Sequence, residues 1–301
     1  MVKNMNEPKI AWIGTGIMGG AMCARLLAAG YDCTVFSRTP EKTLPLLNAG
    51  AQLAKSPADA AQNADVVFTM VGYPADVEAV ILHPETGVLA GFRRNPSPGR
   101  KILADMTTSR PSLAEKIAFA AEEQNVWALD APVSGGDVGA RKGTLSIMVG
   151  GCRSAFEQLA PLWSVLGTNV RYQGNPGMGQ HTKMMNQILI AGTMLGMCEA
   201  LRYAKSAGLD LPNALESVST GAAGSWSLSN LAPRILRDDF APGFKIAHFV
   251  KDLRIALDEA SARHLEIPGV TLAEKLYSEL LDAGLANSGT QALVQWPTAK
   301  S

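Results

Sequence analysis

Short apolar runs alternate with helical patterns through the first half of the chain. Runs at 9–13, 33–37, 65–71, 101–106, 126–130, 145–149 and 170–172 carry apolar and β-branched or aromatic residues such as Ile, Val, Leu, Phe and Tyr. Each has strand length, and several lack polar alternation, as strands covered on both faces do. Between them, apolar residues recur at helical spacing over 18–29, 40–48, 75–82 and 111–123. Gly30 and Gly50 follow two of these segments as stop signals. Strands alternating with helices predict right-handed crossovers and a mostly parallel sheet, an α/β architecture.

The pattern changes after Gly174-Asn175-Pro176-Gly177. No strand is predicted beyond it. An apolar helical stretch of about 30 residues opens near Gly179 and would span roughly 40 Å. Further helices are predicted over 212–218, 248–263 and 268–283, with a short one near Gln291. The expected organisation is therefore an α/β domain over 1–174 and an all-α C-terminal domain over 175–301 that begins with the long helix. A chain of 301 residues is ample for both.

Charge narrows the function classes. The chain has 27 basic and 27 acidic residues, with no block of one sign. No nucleic-acid or membrane surface is expected from that balance. The cysteines Cys23, Cys33, Cys152 and Cys198 show neither C-x-x-C nor metal-ligand spacing, so no metal site is expected. Three sit in apolar contexts, where a thiol acts as a small hydrophobe. A reducing, cytoplasmic setting fits them. The opening segment 1–9 is polar and has no signal-peptide core. Asn186, Gln187 and Glu199 interrupt the long apolar stretch, which reads as a buried helix and not a membrane span.

Gly14-Thr15-Gly16-Ile17-Met18-Gly19 follows the first strand and opens the first helix. In that register each glycine has a task. Gly14 permits the tight turn, Gly16 lets a pyrophosphate approach the backbone, and Gly19 lets helix and strand pack closely. The helix N-terminus adds free N–H groups and a positive dipole end. The first domain thus reads as a Rossmann-type dinucleotide-binding domain. The end of the second strand picks the dinucleotide. An acid there would serve the ribose hydroxyls of NAD; this chain has Ser37-Arg38-Thr39. Arg38 would attract a 2′-phosphate, so NADP is expected over NAD. The alternative is an exposed arginine after a strand. Asp32 precedes the strand and is badly placed to act as the ribose acid.

Asp130-Ala131-Pro132-Val133-Ser134-Gly135-Gly136 ends a later strand on the same side of the sheet. Ser134 with the backbone of Gly135 and Gly136 suits a small carboxylate, and equally suits a plain turn. Lys183 and Asn186 stand three apart at the head of the long helix, on one face. Hydride transfer to a carbonyl needs a proton as well, and a lysine near apolar surroundings can provide it. Asn186 can orient the lysine or grip the substrate oxygen. His181 is a competing acid that points to another face.

With these motifs in order, followed by Lys251-Asp252-Leu253, the chain resembles the β-hydroxyacid dehydrogenase family over essentially its whole length. That family includes 3-hydroxyisobutyrate dehydrogenases and glyoxylate/succinate semialdehyde or tartronate semialdehyde reductases. The resemblance implies Lys183 as catalytic acid/base and Ser134, Gly135, Gly136 and Asn186 as substrate ligands. It implies Thr107 near the nicotinamide and Met70 and Val71 along the adenosine half. It also implies Lys251 reaching the cofactor near Phe244; without the family, Lys251 reads as a surface lysine. Gly14, Gly16, Ile17, Met18, Gly19, Ser37, Arg38 and Thr39 complete the cofactor set. The family's NADP users often carry Asn-Arg-Thr where this chain has Ser37-Arg38-Thr39. A homodimer or homotetramer is implied, with a small carboxylate as substrate. Two other readings are weighed. Imine reductases, which resemble the family, generally replace the lysine; catalytically silent relatives tend to lose it or its neighbours. Trp226 either lines the site or simply packs.

Overall fold

A computed structural model of the chain describes residues 7–96 and 99–297. Residues 1–6 of the polar opening segment lie outside the described residues. The chain divides into two compact units, Met1–Lys183 and Met184–Ser301.

The first unit is built on a mostly parallel sheet. Its strands are β1 (Ile10–Ile13), β2 (Cys33–Phe36), β3 (Gln52–Leu53), β4 (Val66–Thr69), β5 (Lys101–Asp105), β6 (Val126–Asp130), β7 (Val133–Ser134), β8 (Leu145–Gly151) and β9 (Gly167–Gly174). The order is β3-β2-β1-β4-β5-β6-β8-β7, with β9 pairing β8. Strands β3 through β6 run parallel, whereas β8 is antiparallel to β6 and β7. Every residue of β1 and β4 is buried, as continuous apolar runs demand. Alternate residues serve opposite faces. Ile10, Trp12, Phe68 and Ile102 join one core, and Ala11, Ile13, Val67 and Leu103 join the other. The order reverses between β1 and β4, so their carboxyl ends flank the switch point where open α/β sheets bind ligands.

Several features exceed the sequence reading: the two-residue strands β3 and β7, the eight-residue length of β9, and the short helices Pro57–Ala61, Val88–Arg94, Gly136–Lys142, Arg153–Gln158 and Ala160–Leu166. None has a long enough apolar period to be seen from pattern alone.

The second unit is helical among the described residues, apart from one antiparallel bridge between Lys245 and Gly289. Its core joins Ala191, Met194 and Cys198 to Leu231, Phe249 and Tyr277. Tyr277 sits edge-on to Phe249 at 4.9 Å and donates its hydroxyl to the Thr290 carbonyl at 2.8 Å. Trp226–Ile235 is a helix that the apolar pattern does not predict, because Pro233 lies inside it. Its start is secured by the Ser225 hydroxyl, which accepts from Leu228 N at 3.0 Å. The long helix, Met178–Ser206, would by length and composition suffice to cross a membrane. Here Ala191, Met194, Cys198 and Leu201 along it pack into the helical core.

Candidate active site

Gly14 turns the chain out of β1 with φ +96°. A Cβ there would run into the Met70 carbonyl, and one on Gly19 into the Gly14 carbonyl oxygen. A Cβ on Gly16 would meet nothing within 4 Å. Two glycines are thus closed in by protein and the middle one faces open space, where a pyrophosphate needs room. The helix Ile17–Ala28 starts here with no side-chain cap. Its first N–H groups are the ordinary unpaired donors of a helix end. Thr15 Oγ1 is buried without a hydrogen-bond partner in the same loop. An orphaned hydroxyl, uncapped N–H groups and an open glycine fit the phosphates of a dinucleotide. Ile17 is exposed and Met18 packs on the core below.

Ser37, Arg38 and Thr39 follow β2. Thr39 N donates to Ser37 Oγ at 3.2 Å. The Arg38 side chain is 72% exposed and its Nη1 lies 2.7 Å from Asp76 Oδ1. Asp76 also accepts from Tyr73 N at 3.1 Å, capping the helix Pro74–Leu82. No acid stands at the end of β2 itself, but one reaches it from a helix 38 residues away in sequence. Met70 N donates to Ile13 O at 2.8 Å, which holds Met70 beside the glycine turn. Val71 N donates to Thr107 Oγ1 at 3.0 Å.

The head of the long helix is held by buried polar groups. Asp130, the last residue of β6, accepts from Gly177 N at 2.9 Å and from Gln180 N at 2.8 Å. These are donors that a helix start leaves unpaired. Burial pushes the Asp130 carboxyl up to about 6, against the pull of those two N–H groups; Asp105 pushes it up as well. Gln180 is fully buried. Its Oε1 accepts from Ser109 N at 2.9 Å and its Nε2 donates to Thr107 O at 2.7 Å. Asp105 Oδ1 in turn accepts from Thr69 Oγ1 at 2.7 Å and Thr107 N at 3.1 Å. One turn past Gln180, Lys183 is only 6% exposed, and its Nζ donates to Val133 O at 2.8 Å. That carbonyl immediately precedes Ser134. Gly135 and Gly136, at φ +131° and +60°, then turn the chain out of β7.

Asn186, Phe244 and Lys251 belong to the second unit. Asn186 Nδ2 donates to Gln187 Oε1 at 2.8 Å, and Gln187 Nε2 donates to Asp252 Oδ2 at 2.7 Å. Lys251 Nζ lies 3.0 Å from Asp252 Oδ1. That approach is off the line of a hydrogen bond, so the contact is an ion pair only. Phe244 stacks on His248 at 6.5 Å. Burial first, and Lys251 second, lower the His248 pKa. Trp226 is exposed.

The structure thus brings the glycine loop, Met70, Val71 and Thr107 together around the ends of β1 and β4. It sets Lys183 against the strand that carries Ser134. Within the second unit it links Asn186 to Lys251 through Gln187 and Asp252. Gln180, Gln187 and Asp76 escape sequence reasoning, since an amide on a helix and an acid in a first turn are ordinary surface residues. The usable signal for Gln180 was its spacing, three residues before Lys183 on one helix face. Among the described residues no group of three or more His, Cys, Asp or Glu could hold a metal ion.

Residues 9–174 match the NAD binding domain of 6-phosphogluconate dehydrogenase, and residues 177–296 match the NAD-binding domain of NADP-dependent 3-hydroxyisobutyrate dehydrogenase. A probable mitochondrial 3-hydroxyisobutyrate dehydrogenase-like protein of Arabidopsis thaliana is 51% identical over 96% of this chain and 85% of its own length. The Mycobacterium tuberculosis 3-hydroxyisobutyrate dehydrogenase, solved with L-serine, has a TM-score of 0.86 at 28% identity, covering 97% of this chain and all of that one. A protein named Psf3, solved with NADP+ and 2-OPP, has a TM-score of 0.85 at 27% identity, covering 95% of this chain and 99% of that one.

Proposed function

The chain belongs to the β-hydroxyacid dehydrogenase family of NAD(P)-dependent oxidoreductases, and from that premise we propose that it interconverts a short β-hydroxyacid and its semialdehyde with NADP, using Lys183 as the acid/base. The observation that carries this reading is the buried Lys183 ammonium, 2.8 Å from the carbonyl that precedes Ser134-Gly135-Gly136. A bound nicotinamide would supply or accept the hydride, with Thr107 among the residues that hold it. In oxidation the neutral Lys183 amine would take the hydroxyl proton, becoming the ammonium, as the carbinol C–H leaves as hydride. In reduction it returns a proton to the carbonyl oxygen. Val133 O fixes the direction of Nζ without neutralising it. Ser134, Gly135 and Gly136 hold the substrate carboxylate, and Asn186 holds the hydroxyl. Lys251 and Phe244 would be the second unit's residues for the cofactor.

Arg38 supports NADP over NAD. It stands at the end of β2, where an acid would otherwise meet the ribose, and a mostly exposed guanidinium can exchange Asp76 for a 2′-phosphate. The substrate class is a 3-hydroxyisobutyrate-like or serine-like hydroxyacid, in keeping with the names of the similar proteins. A homodimer or homotetramer is supported by the outer face of the long helix. Met185, Leu189 and Tyr203 are exposed there, and a Cβ on Gly192 or Gly196 would meet nothing within 4 Å. A second copy packed on that face would be split to monomers by Leu189→Arg, read by light scattering. The cytoplasm suits four cysteines that are all free.

The decisive experiment follows NADPH consumption with small semialdehydes and cyclic imines, and NADP+ reduction with 3-hydroxyisobutyrate and L-serine. Lys183→Ala is the control. We expect turnover of a hydroxyacid pair, and in the variant a kcat loss of about 10²–10⁴-fold with NADPH binding retained. Near-normal turnover by Lys183→Ala sinks the mechanism. Activity on imines alone moves the chain to imine reduction.

A further inference from the structure

Gln180 has no part in the reaction described above, yet its buried side chain at the head of the long helix makes two hydrogen bonds to backbone. Its two amide atoms serve two different backbone groups of one loop. Oε1 accepts from Ser109 N at 2.9 Å, and Nε2 donates to Thr107 O at 2.7 Å. Its own N–H donates to Asp130 Oδ2 at 2.8 Å. Thr107 and Gln180 are both buried, so each bond is made out of water, where a lost partner is costly. Gln180 and Lys183 are one turn apart, on the same face. The helix start is therefore pinned at three successive points: Asp130 on the backbone, Thr107 to Ser109 on the Gln180 amide, and Val133 on Lys183.

We propose that Gln180 is a positioning residue that sets Lys183 in register with the 107–109 loop, so that hydride and proton are delivered to one substrate in one geometry. This rests on the reading of Lys183 as acid/base and of Thr107 as lying beside the nicotinamide. The pinning acts between a strand-end loop and a helix that are 71 to 73 residues apart in sequence. Without it the loop and the helix can slide past each other, and a misplacement of about 1 Å can reduce a rate by about 10²-fold.

The amide is chemically specific. It sets an acceptor oxygen and a donor NH2 side by side in a plane, and the loop presents one N–H and one carbonyl to them. An ionised glutamate would satisfy Ser109 N but set its second oxygen against the Thr107 carbonyl. A protonated glutamate would satisfy both. The charged groups around the position are Asp130 from β6, Asp105 from β5, Glu115 from the helix Pro111–Glu122 near Gly177, and His181 and Lys183 on the same helix. All are present in the wild type and in a variant; Asp130, hydrogen-bonded to the backbone of residue 180, would couple to a carboxylate introduced there, so the ratio of activities reads the protonation of that pair.

The test uses the full-length protein with NADPH and the substrate found in the panel above. Gln180→Met fills the same volume without the two bonds. We expect kcat to fall about 10–100-fold while KM and the NADPH Kd stay within about twofold. For Gln180→Glu we expect the activity ratio to wild type to rise about tenfold or more from about pH 8 to about pH 5.5, as the new carboxyl gains its proton. Should Gln180→Met fail to fold, the Gln180→Glu profile decides, since that variant keeps one bond at every pH. Wild-type kcat in Gln180→Met, or a pH-independent ratio in Gln180→Glu, overturns the assignment. If Lys183→Ala is inactive in the same assay, that overturning is confined to Gln180. If Lys183→Ala is active, the lysine reading falls and this one with it.

Discussion

At the glycine loop after β1 the chain makes room by omitting side chains; at the head of the long helix it holds position by burying polar ones. Gly14 and Gly19 are shut in by carbonyl groups, and Gly16 faces open space. Asp130 and Gln180 instead place their side chains against backbone N–H and C=O groups. On the proposed function a cofactor phosphate would take the backbone itself as its ligand, which a bare loop allows. A proton-carrying Lys183 would need one fixed location, which a tied-down helix provides. The same sheet edge thus carries two kinds of precision, one set by backbone conformation and one by tertiary hydrogen bonds.

The sharpest way to break the second kind is through Asp130. Its carboxyl sits at about 6 in the folded protein, above the ordinary 3.8. The folded state therefore favours the neutral form. The stability this group contributes is full below about pH 4 and is lost as pH rises through about 6, on the order of 3 kcal/mol. Asp130→Asn cannot titrate. In urea unfolding between pH 4 and 7, the advantage of wild type over this variant should shrink by that amount as pH rises. A constant difference would show that burial does not govern this carboxyl.

Arg38→Ala probes the first kind at its rim. The expected result is a loss of about 1.5–3 kcal/mol in NADPH binding, roughly 10–100-fold in Kd, with NADH binding unchanged. Equal losses with both cofactors would remove Arg38 from the 2′-phosphate site. The smallest effects should separate the glycines from one another. Gly19→Ala drives a methyl into the Gly14 carbonyl and should lower stability by about 1–3 kcal/mol. Gly16→Ala meets no protein atom and should shift stability by less than about 1 kcal/mol, while weakening NADPH binding. Equal destabilisation by both would erase the distinction between packing and ligand approach.

The two kinds of precision differ in how far they can be read from the chain. The Gly14-Thr15-Gly16-Ile17-Met18-Gly19 motif is legible because its meaning is local: a strand, a turn and a helix within a few residues. The long helix is equally plain from its apolar run, and so is the change from alternating elements to helices after Gly174. The Trp226–Ile235 helix is hidden by Pro233, and β3 and β7 by their two-residue length. The pairing of Arg38 with Asp76, and of Gln180 with Thr107 and Ser109, has no local signature. Each partner lies 38 to 73 residues away.

By itself, then, the sequence determined the α/β architecture, the place of the glycine turn between β1 and the first helix, and the helix that carries Lys183. Periodicity and glycine spacing act over a few residues, and the chain cannot fold locally without obeying them. Only the tertiary structure decided which polar groups are buried against which. Whether Lys183 is a surface charge or a buried ammonium on the Val133 carbonyl depends on contacts 50 residues apart. The free energy of a polar side chain is set by its surroundings in space, and those exist only once the sheet and the helix have come together.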